Sequence, residues 1–174
     1  MTQYIGIDNG VSGTVAYVGP GAIEGAVVWP TPVKLEQNYQ KVKKNINRLD
    51  HPKFQKLMEL MVDRISGNCP GEPIRIVMEK PFVNPGNFVA TSNSLRCFEA
   101  QLVILEQLGL SYTYLDAKTW QKVLLPEGTK GRLEQKKASL DLGLRLFPQH
   151  AEFIRKHKDA DGLLIAEYCR KTQP

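Results

Sequence analysis

An acidic residue that closes an apolar strand and runs straight into a turn narrows most what this chain can fold into. Residues 3–8 place Ile5 and Ile7 on one face of a strand and Gly6 and Asp8 on the other, because side chains alternate along an extended backbone. Asn9-Gly10-Val11-Ser12-Gly13 supplies a tight turn, and residues 13–18 return as a second strand. A related arrangement recurs downstream. Residues 74–79 are a compact buried strand ending on Glu79 and closed by Pro81. Asp161 falls in the first turn of the last helix, expected over residues 159–170.

Residues 22–29 are expected as a third strand after Gly19-Pro20-Gly21, which makes an antiparallel meander; Pro30 and Pro32 interrupt the pattern. Residues 33–49 are polar and basic, with no period that selects helix or strand. Asp50 is the expected N-cap of a helix through Ile65, with Phe54, Leu57, Met58, Met61 and Ile65 as its apolar stripe. Residues 67–73 end it. A second helix is expected over residues 91–108, carrying Leu95, Phe98, Leu102, Leu105 and Leu108, then a short strand at 112–115 and a short helix at 117–124. A loop at 126–132 leads to a helix at 133–147. This order predicts an α/β domain spanning residues 1–174, with a mixed five-stranded sheet, antiparallel meander then βαβ, flanked by helices.

At 174 residues, with 42% apolar and 24% charged side chains, the chain has the makings of an ordinary core and is not of disordered type. No run is long enough to cross a bilayer and the first residues enter a strand at once, so a soluble, intracellular protein is expected. Cys69, Cys97 and Cys169 form no metal-binding or paired spacing, which suits reduced thiols. The net charge of +5 favours an anionic partner. The positive charge is clustered: Lys41, Lys43, Lys44 and Arg48; Lys130, Arg132, Lys136 and Lys137; and Arg155, Lys156 and Lys158 just before an acidic pair. Each cluster alone is also what a solvated surface looks like.

The acids carry the chemistry. Carboxylates brought together repel one another unless a divalent cation lies between them. Hard oxygen donors suit magnesium, with manganese able to replace it. Two such ions about 4 Å apart can activate a water and stabilise a leaving oxygen in phosphodiester hydrolysis. Each acid also has an ordinary structural reading: Asp8 as a turn former, Asp159 and Asp161 as helix-capping and first-turn acids, Glu79 as a lysine's partner.

Set side by side, these motifs resemble the RuvC-type Holliday junction resolvases of the RNase-H-like superfamily. Ile5-Gly6-Ile7-Asp8-Asn9-Gly10 looks like the family's first acidic motif, with Asn9 where proline is usual. Met78-Glu79-Lys80-Pro81-Phe82 looks like the second, and Ala160-Asp161-Gly162-Leu163-Leu164-Ile165-Ala166 is similar to the final helix. Trp120-Gln121-Lys122 and Gln135-Lys136-Lys137-Ala138-Ser139 fit the basic stretch between them, and residues 136–148 look nearer to phage-borne members. The resemblance implies an RNase-H-like fold and a homodimeric, magnesium-dependent endonuclease acting on four-way or branched DNA in a bacterial or phage-infected cytoplasm. Asp8, Glu79 and Asp161 would be metal ligands. The family usually places a fourth ligand three residues before the last aspartate, where this chain has Lys158. His157 and Asp159 are the alternatives, and Asp159 is favoured because carboxylate suits a hard cation better than imidazole.

The resemblance further implies that Lys136 or Lys137 approaches the scissile phosphate, Lys137 being assigned a catalytic role. Lys122 and Lys130 would hold flanking phosphates, as would Lys41, Lys43 and Lys44. Phe82 would contact bases at the branch point, and the 91–108 helix would form the dimer contact, unless its stripe is core. Competing classes are an RNase-H-like nuclease acting on RNA–DNA hybrid or structured RNA, a sugar-kinase or actin-like ATPase, and a catalytically dead junction binder. The second would need a further phosphate loop that the sequence lacks, and the presence of Asp8, Glu79 and Asp161 argues against the third.

Overall fold

The computed structural model describes residues 2–19, 25–38 and 41–172. The elements in chain order are β1 (Gln3–Ile7), β2 (Thr14–Val18), β3 (Val27–Pro30), β4 (Val33–Gln37), β5 (Asn45–Leu49), α1 (His51–Asn68), β6 (Ile74–Glu79), α2 (Phe88–Gln107), β7 (Tyr112–Leu115), α3 (Ala117–Leu124), α4 (Arg132–Leu146), a 3-10 turn (Pro148–His150), α5 (Ala151–His157) and α6 (Asp161–Thr172). A five-stranded sheet in the order β3-β2-β1-β6-β7 is antiparallel on one side of β1 and parallel on the other. This is the mixed α/β architecture expected.

Alternation along β1 divides the core. Ile5 and Ile7 face α1 and α2, among Phe54, Met58, Met61, Ile65, Phe98 and Leu105. Tyr4 shares the opposite layer with Val77, Trp120, Phe147 and the apolar side of α6, from Leu163 to Cys169. Gly6 is where α6 comes nearest: a Cβ there would lie 2.3 Å from the Gly162 carbonyl oxygen and 2.6 Å from the Ala166 nitrogen. At the start of α6 a second close approach is to β2, since a Cβ on Gly162 would lie 2.7 Å from Thr14 Oγ1.

Several expected boundaries move. The third strand begins at Val27, and residues 22–24 of its expected span lie outside the described residues. Residues 33–49, which showed no clear period, form a two-stranded hairpin, β4 with β5, in register from Val33↔Leu49 to Gln37↔Asn45. Its pattern is unreadable because little of it is covered: Leu49 joins the core, whereas Leu35 is 70% exposed. Charge ties the strands together instead, with Glu36 bonded to both Lys34 and Arg48 at 2.8 Å. Asp50 caps α1 as expected, accepting from the Lys53 N–H at 3.3 Å. Helix α2 starts earlier than expected because Asn87 caps it, accepting from the Ala90 N–H. The sequence reading missed α5 altogether and opened the last helix two residues early. Lys158, in the left-handed region at φ 53°, breaks the chain between α5 and α6.

The tight seat of α6 sets a prediction. Gly6→Ala forces a methyl against backbone and is expected to cost about 1–3 kcal/mol. Gly67→Ala, in open space near the end of α1, should instead stabilise by about 0.4–1 kcal/mol. Urea unfolding of the two variants beside the parent checks both signs.

Candidate active site

Asp8 continues the line of β1 just past its end, its N–H bonded to the Thr14 carbonyl at 3.0 Å. The next strand over in parallel is β6, and Ile7 is in register with Met78, so Asp8 and Glu79 leave adjacent strand ends side by side. The turn returns tightly. A Cβ on Gly13 would meet the Asp8 carbonyl at 2.3 Å and its Oδ2 at 2.9 Å, so only glycine leaves that carboxylate in place.

Helix α6 supplies the third acid from its first residue, Asp161. Just before it, Asp159 Oδ1 accepts from the Asp161 N–H at 2.7 Å and lies 3.4 Å from the Thr14 hydroxyl. That same hydroxyl accepts from the Gly162 N–H at 3.1 Å. One buried threonine thus pins the start of α6 and the acid before it to the end of the sheet. Asp8, Asp159 and Asp161 each offer an oxygen within 4.8 Å of the others. All three are half-buried, so the cluster stays open to solvent.

The electrostatics follow from crowding. Burial, then the charges of Asp159, Asp161 and Glu79, hold Asp8 well above the ordinary carboxylate range. Asp161 is pushed up to about 7, by burial first and then by Asp159 and Glu79, against the pull of a Ser139 hydrogen bond and the Lys136 charge. Glu79 is raised by burial and by Asp159, while a hydrogen bond from Trp120 opposes the rise. An all-oxygen donor set whose members raise one another's pKa suits a hard divalent cation, and Asp8, Asp159 and Asp161 could hold one with Glu79 beside them.

The two candidates for the fourth position separate cleanly. His157 stacks on Phe153 with ring centroids 4.3 Å apart and is exposed, whereas Asp159 lies inside the cluster. Of the paired lysines, Lys136 is the one whose charge acts on Asp161, on the face of α4 that also carries Ser139. Lys137 lines a groove with Thr129, Glu134, Asp141 and Arg145. Lys41, Lys43, Lys44, Lys122 and Lys130 are all exposed. Phe82 is 82% exposed, outside the core, on the loop between Glu79 and α2. Phe98, Leu102 and Leu105, by contrast, are buried in this chain's own core; Leu95 is 37% exposed. The dimer stripe expected of the second helix is therefore mostly core.

Sequence reasoning missed Thr14, Ser139 and the role of Trp120. It also missed Asn9, whose side-chain N–H donates to the Ser94 hydroxyl at 3.1 Å and ties the Asp8 turn to α2. None of these carries a signal of its own, because each becomes informative only through a partner distant in sequence.

No family model matches the chain, and neither does any curated protein sequence. Among solved structures it is similar to Thermus thermophilus RuvC in complex with a Holliday junction substrate, with a TM-score of 0.55 and 14% identity over 97% of this chain and 92% of that one. It is also similar to a Thermus thermophilus RuvC structure (TM-score 0.50, 14% identity, 97% and 95% covered). A weaker likeness is to the yeast mitochondrial Holliday junction resolvase Ydc2 (TM-score 0.49, 18% identity, 98% and 78% covered). The chain has the RNase-H-like fold of the RuvC-type resolvases.

The raised pKa values set the pH dependence of the metal-free protein. A carboxyl whose folded pKa exceeds its unfolded one contributes stability below the unfolded value and loses it as pH rises through the folded value. With Asp161 near 7 and Asp8 and Glu79 also raised, the chelated protein should melt higher at about pH 5.5 than at about pH 8. Asp161→Asn should reduce that difference. Melting curves in chelator across this window provide the check.

Proposed function

We propose that this chain is a structure-selective DNA endonuclease that resolves Holliday junctions and other branched DNA by metal-assisted phosphodiester hydrolysis. The observation that carries the reading is the convergence of Asp8, Asp159 and Asp161 within 4.8 Å, with Glu79 beside them, on the fold described. One of the similar structures is a RuvC bound to a Holliday junction, which supports branched DNA as the substrate class.

Asp8, Glu79, Asp159 and Asp161 would hold magnesium, with manganese as a substitute. When bound, a pair of such ions supplies an activated water and charge at the leaving oxygen. Lys136 or Lys137 would approach the scissile phosphate and neutralise part of its charge, the Lys136 charge being the one that acts on Asp161, and Lys130 and Lys122 would hold flanking phosphates. Lysine suits that task as a movable point charge.

The hairpin gives the first basic cluster a place. Its base is beside the site, since the Thr31 N–H bonds to the Gly13 carbonyl at 2.9 Å, two residues before β4 begins. Its five register pairs are four steps of roughly 3.4 Å, which put the Lys41–Lys44 end about 14 Å along the hairpin from its base, and on this reading that end contacts a duplex arm away from the cut. Phe82 acts as a wedge on bases unstacked at the branch point. Two copies would cut opposed strands of a two-fold junction; on α2 the residues left to meet a partner are Phe88, Val89, Leu95 and Val103, all exposed. Such an enzyme works on DNA in the cytoplasm of a bacterium or of a phage's host. Among the described residues, no helix is long and apolar enough to cross a membrane.

Cleavage of synthetic four-way junction, fork, linear duplex and RNA–DNA hybrid in magnesium tests the reading. Junction is expected to be cut fastest; preference for hybrid would move the activity to the rival RNase-H-like class. Asp8→Asn, Glu79→Gln and Asp161→Asn should each nearly abolish cleavage while junction binding persists. Asp159→Asn should lose far more activity than His157→Ala, and the reverse ranking would return the ligand to His157.

The DNA contacts predict two further outcomes. Phe82→Ala should slow cleavage of an intact junction but not of a pre-nicked one, with stability within about 0.5 kcal/mol of the parent, as for an exposed side chain. Replacing Lys41, Lys43 and Lys44 by Gln should flatten the salt dependence of binding by roughly 0.9 in slope per lost contact. An unchanged slope removes the hairpin from the interface.

A further inference from the structure

Trp120 is fully buried on α3, among the side chains of the layer that faces α6. An indole N–H is a donor only, and a buried one needs an acceptor. Its acceptor is one of the acids: Trp120 Nε1–H donates to Glu79 Oε2 at 2.7 Å, the short distance of a charge-assisted bond. This leaves Glu79 with Oε1 as its unengaged oxygen. Asp159 is also held by neutral donors, because the Asp161 N–H and the Thr14 hydroxyl both approach its Oδ1. In both acids one oxygen is thus held by neutral donors that bring no competing charge.

Ligand number is what separates the small divalent cations. Magnesium takes six donors in a near-ideal octahedron, one oxygen from each carboxylate. Calcium takes six to eight and commonly gains the extra ones by gripping a carboxylate through both oxygens. A rigid donor on one Glu79 oxygen disfavours that second contact, because a two-oxygen grip needs both oxygens turned to the ion and the indole bond holds Oε2 toward Trp120.

We propose that Trp120 is a positioning residue that makes Glu79 a one-oxygen ligand and so biases the acidic site toward magnesium and manganese and against calcium. The inference rests on the metal-binding reading above and deepens it by assigning cation selectivity to a side chain that touches neither the metal nor DNA. Its carrier is the fully buried indole's bond to a named oxygen.

The test is calorimetric titration and thermal melting of the full chain with magnesium, manganese or calcium chloride, in the absence of DNA. Parent protein, Trp120→Phe and a protein with an isosteric benzothiophene in place of the Trp120 indole are compared. The isostere keeps the bicyclic shape and removes only the N–H. Phe147→Leu, in the same buried layer, controls for a loosened core. The parent should prefer magnesium over calcium. Both Trp120 replacements should move the ratio of the two dissociation constants toward calcium by about tenfold, the scale of one hydrogen bond to a charged group. Phe147→Leu should lower the melting temperature and leave the ratio alone.

An unmoved ratio in the isostere, with cation binding intact in the parent, overturns the Trp120 assignment and leaves the metal site standing. An equal shift in Phe147→Leu also overturns it, by assigning the effect to core packing. If no divalent cation binds or stabilises the parent, the metal reading itself fails and this inference falls with it.

Discussion

The seating of α6 on β1 is the contact on which the rest depends. It exists because Gly6 has no side chain, letting the backbone of α6 approach that of β1 to a distance no Cβ would permit, while Gly162 does the same where α6 meets Thr14 of β2. The same crossing buries Leu163, Leu164, Ile165, Ala166, Tyr168 and Cys169 and delivers Asp161 to the end of the sheet where Asp8 already stands. Packing and function are therefore the same constraint at this point. A helix seated farther out would loosen the core and spread the acids together.

That geometry works against its own charges. Two ionised carboxylates at about 4.8 Å repel by roughly 3.5 kcal/mol at an effective dielectric constant near 20. Three such pairs come to about 10 kcal/mol, within the range of the total stability of a typical domain, about 5–15 kcal/mol. Full ionisation without a counter-charge is not sustainable at that cost. The chain responds by holding protons: Asp161 rises to about 7 and Asp8 rises too. Neutral donors from Trp120, Ser139 and Thr14 orient the carboxyls without cancelling their charge. A site kept uncancelled in this way is suited to exchange its protons for a divalent cation.

Most of the frame was legible in the sequence because it is written locally. The alternation in residues 3–8, the apolar run ending at Glu79 and the cap at Asp50 each need only neighbours along the chain, and each appears where expected. The hairpin of residues 33–49 was not legible, since its strands are joined by ion pairs and backbone bonds with little apolar alternation to betray them. Helix α5 was hidden for a similar reason: seven residues with Ile154 as the one buried side chain leave no stripe to count. At the site, Asp8, Glu79 and Asp161 announced themselves by ending apolar segments. Thr14 and Trp120 did not, because their roles lie in bonds to Asp159 and Glu79, across 145 and 41 residues. That Lys136 acts on Asp161 while Lys137 lines a groove follows from the rotation of α4, since neighbouring positions on a helix face different ways.

If the chain is selective for branched DNA as proposed, that selectivity cannot come from the acids, which would treat any well-placed phosphodiester alike. On the proposed reading it comes from parts that contribute little to folding. Phe82 leaves its ring in solvent, on a loop braced by Asn84, whose N–H bonds to the Thr91 hydroxyl and whose carbonyl accepts from it. The basic tip of the hairpin likewise stands clear of the core, while its base is anchored beside Gly13. Both elements start within a few residues of a site acid or of the turn that holds one. A strand end can therefore set the distance from the cut to each contact rigidly, while the contacting side chains stay free to differ. Recognition elements mounted this way can change without disturbing the crossing of α6 on β1, which keeps the acids at their separation whatever the DNA outside.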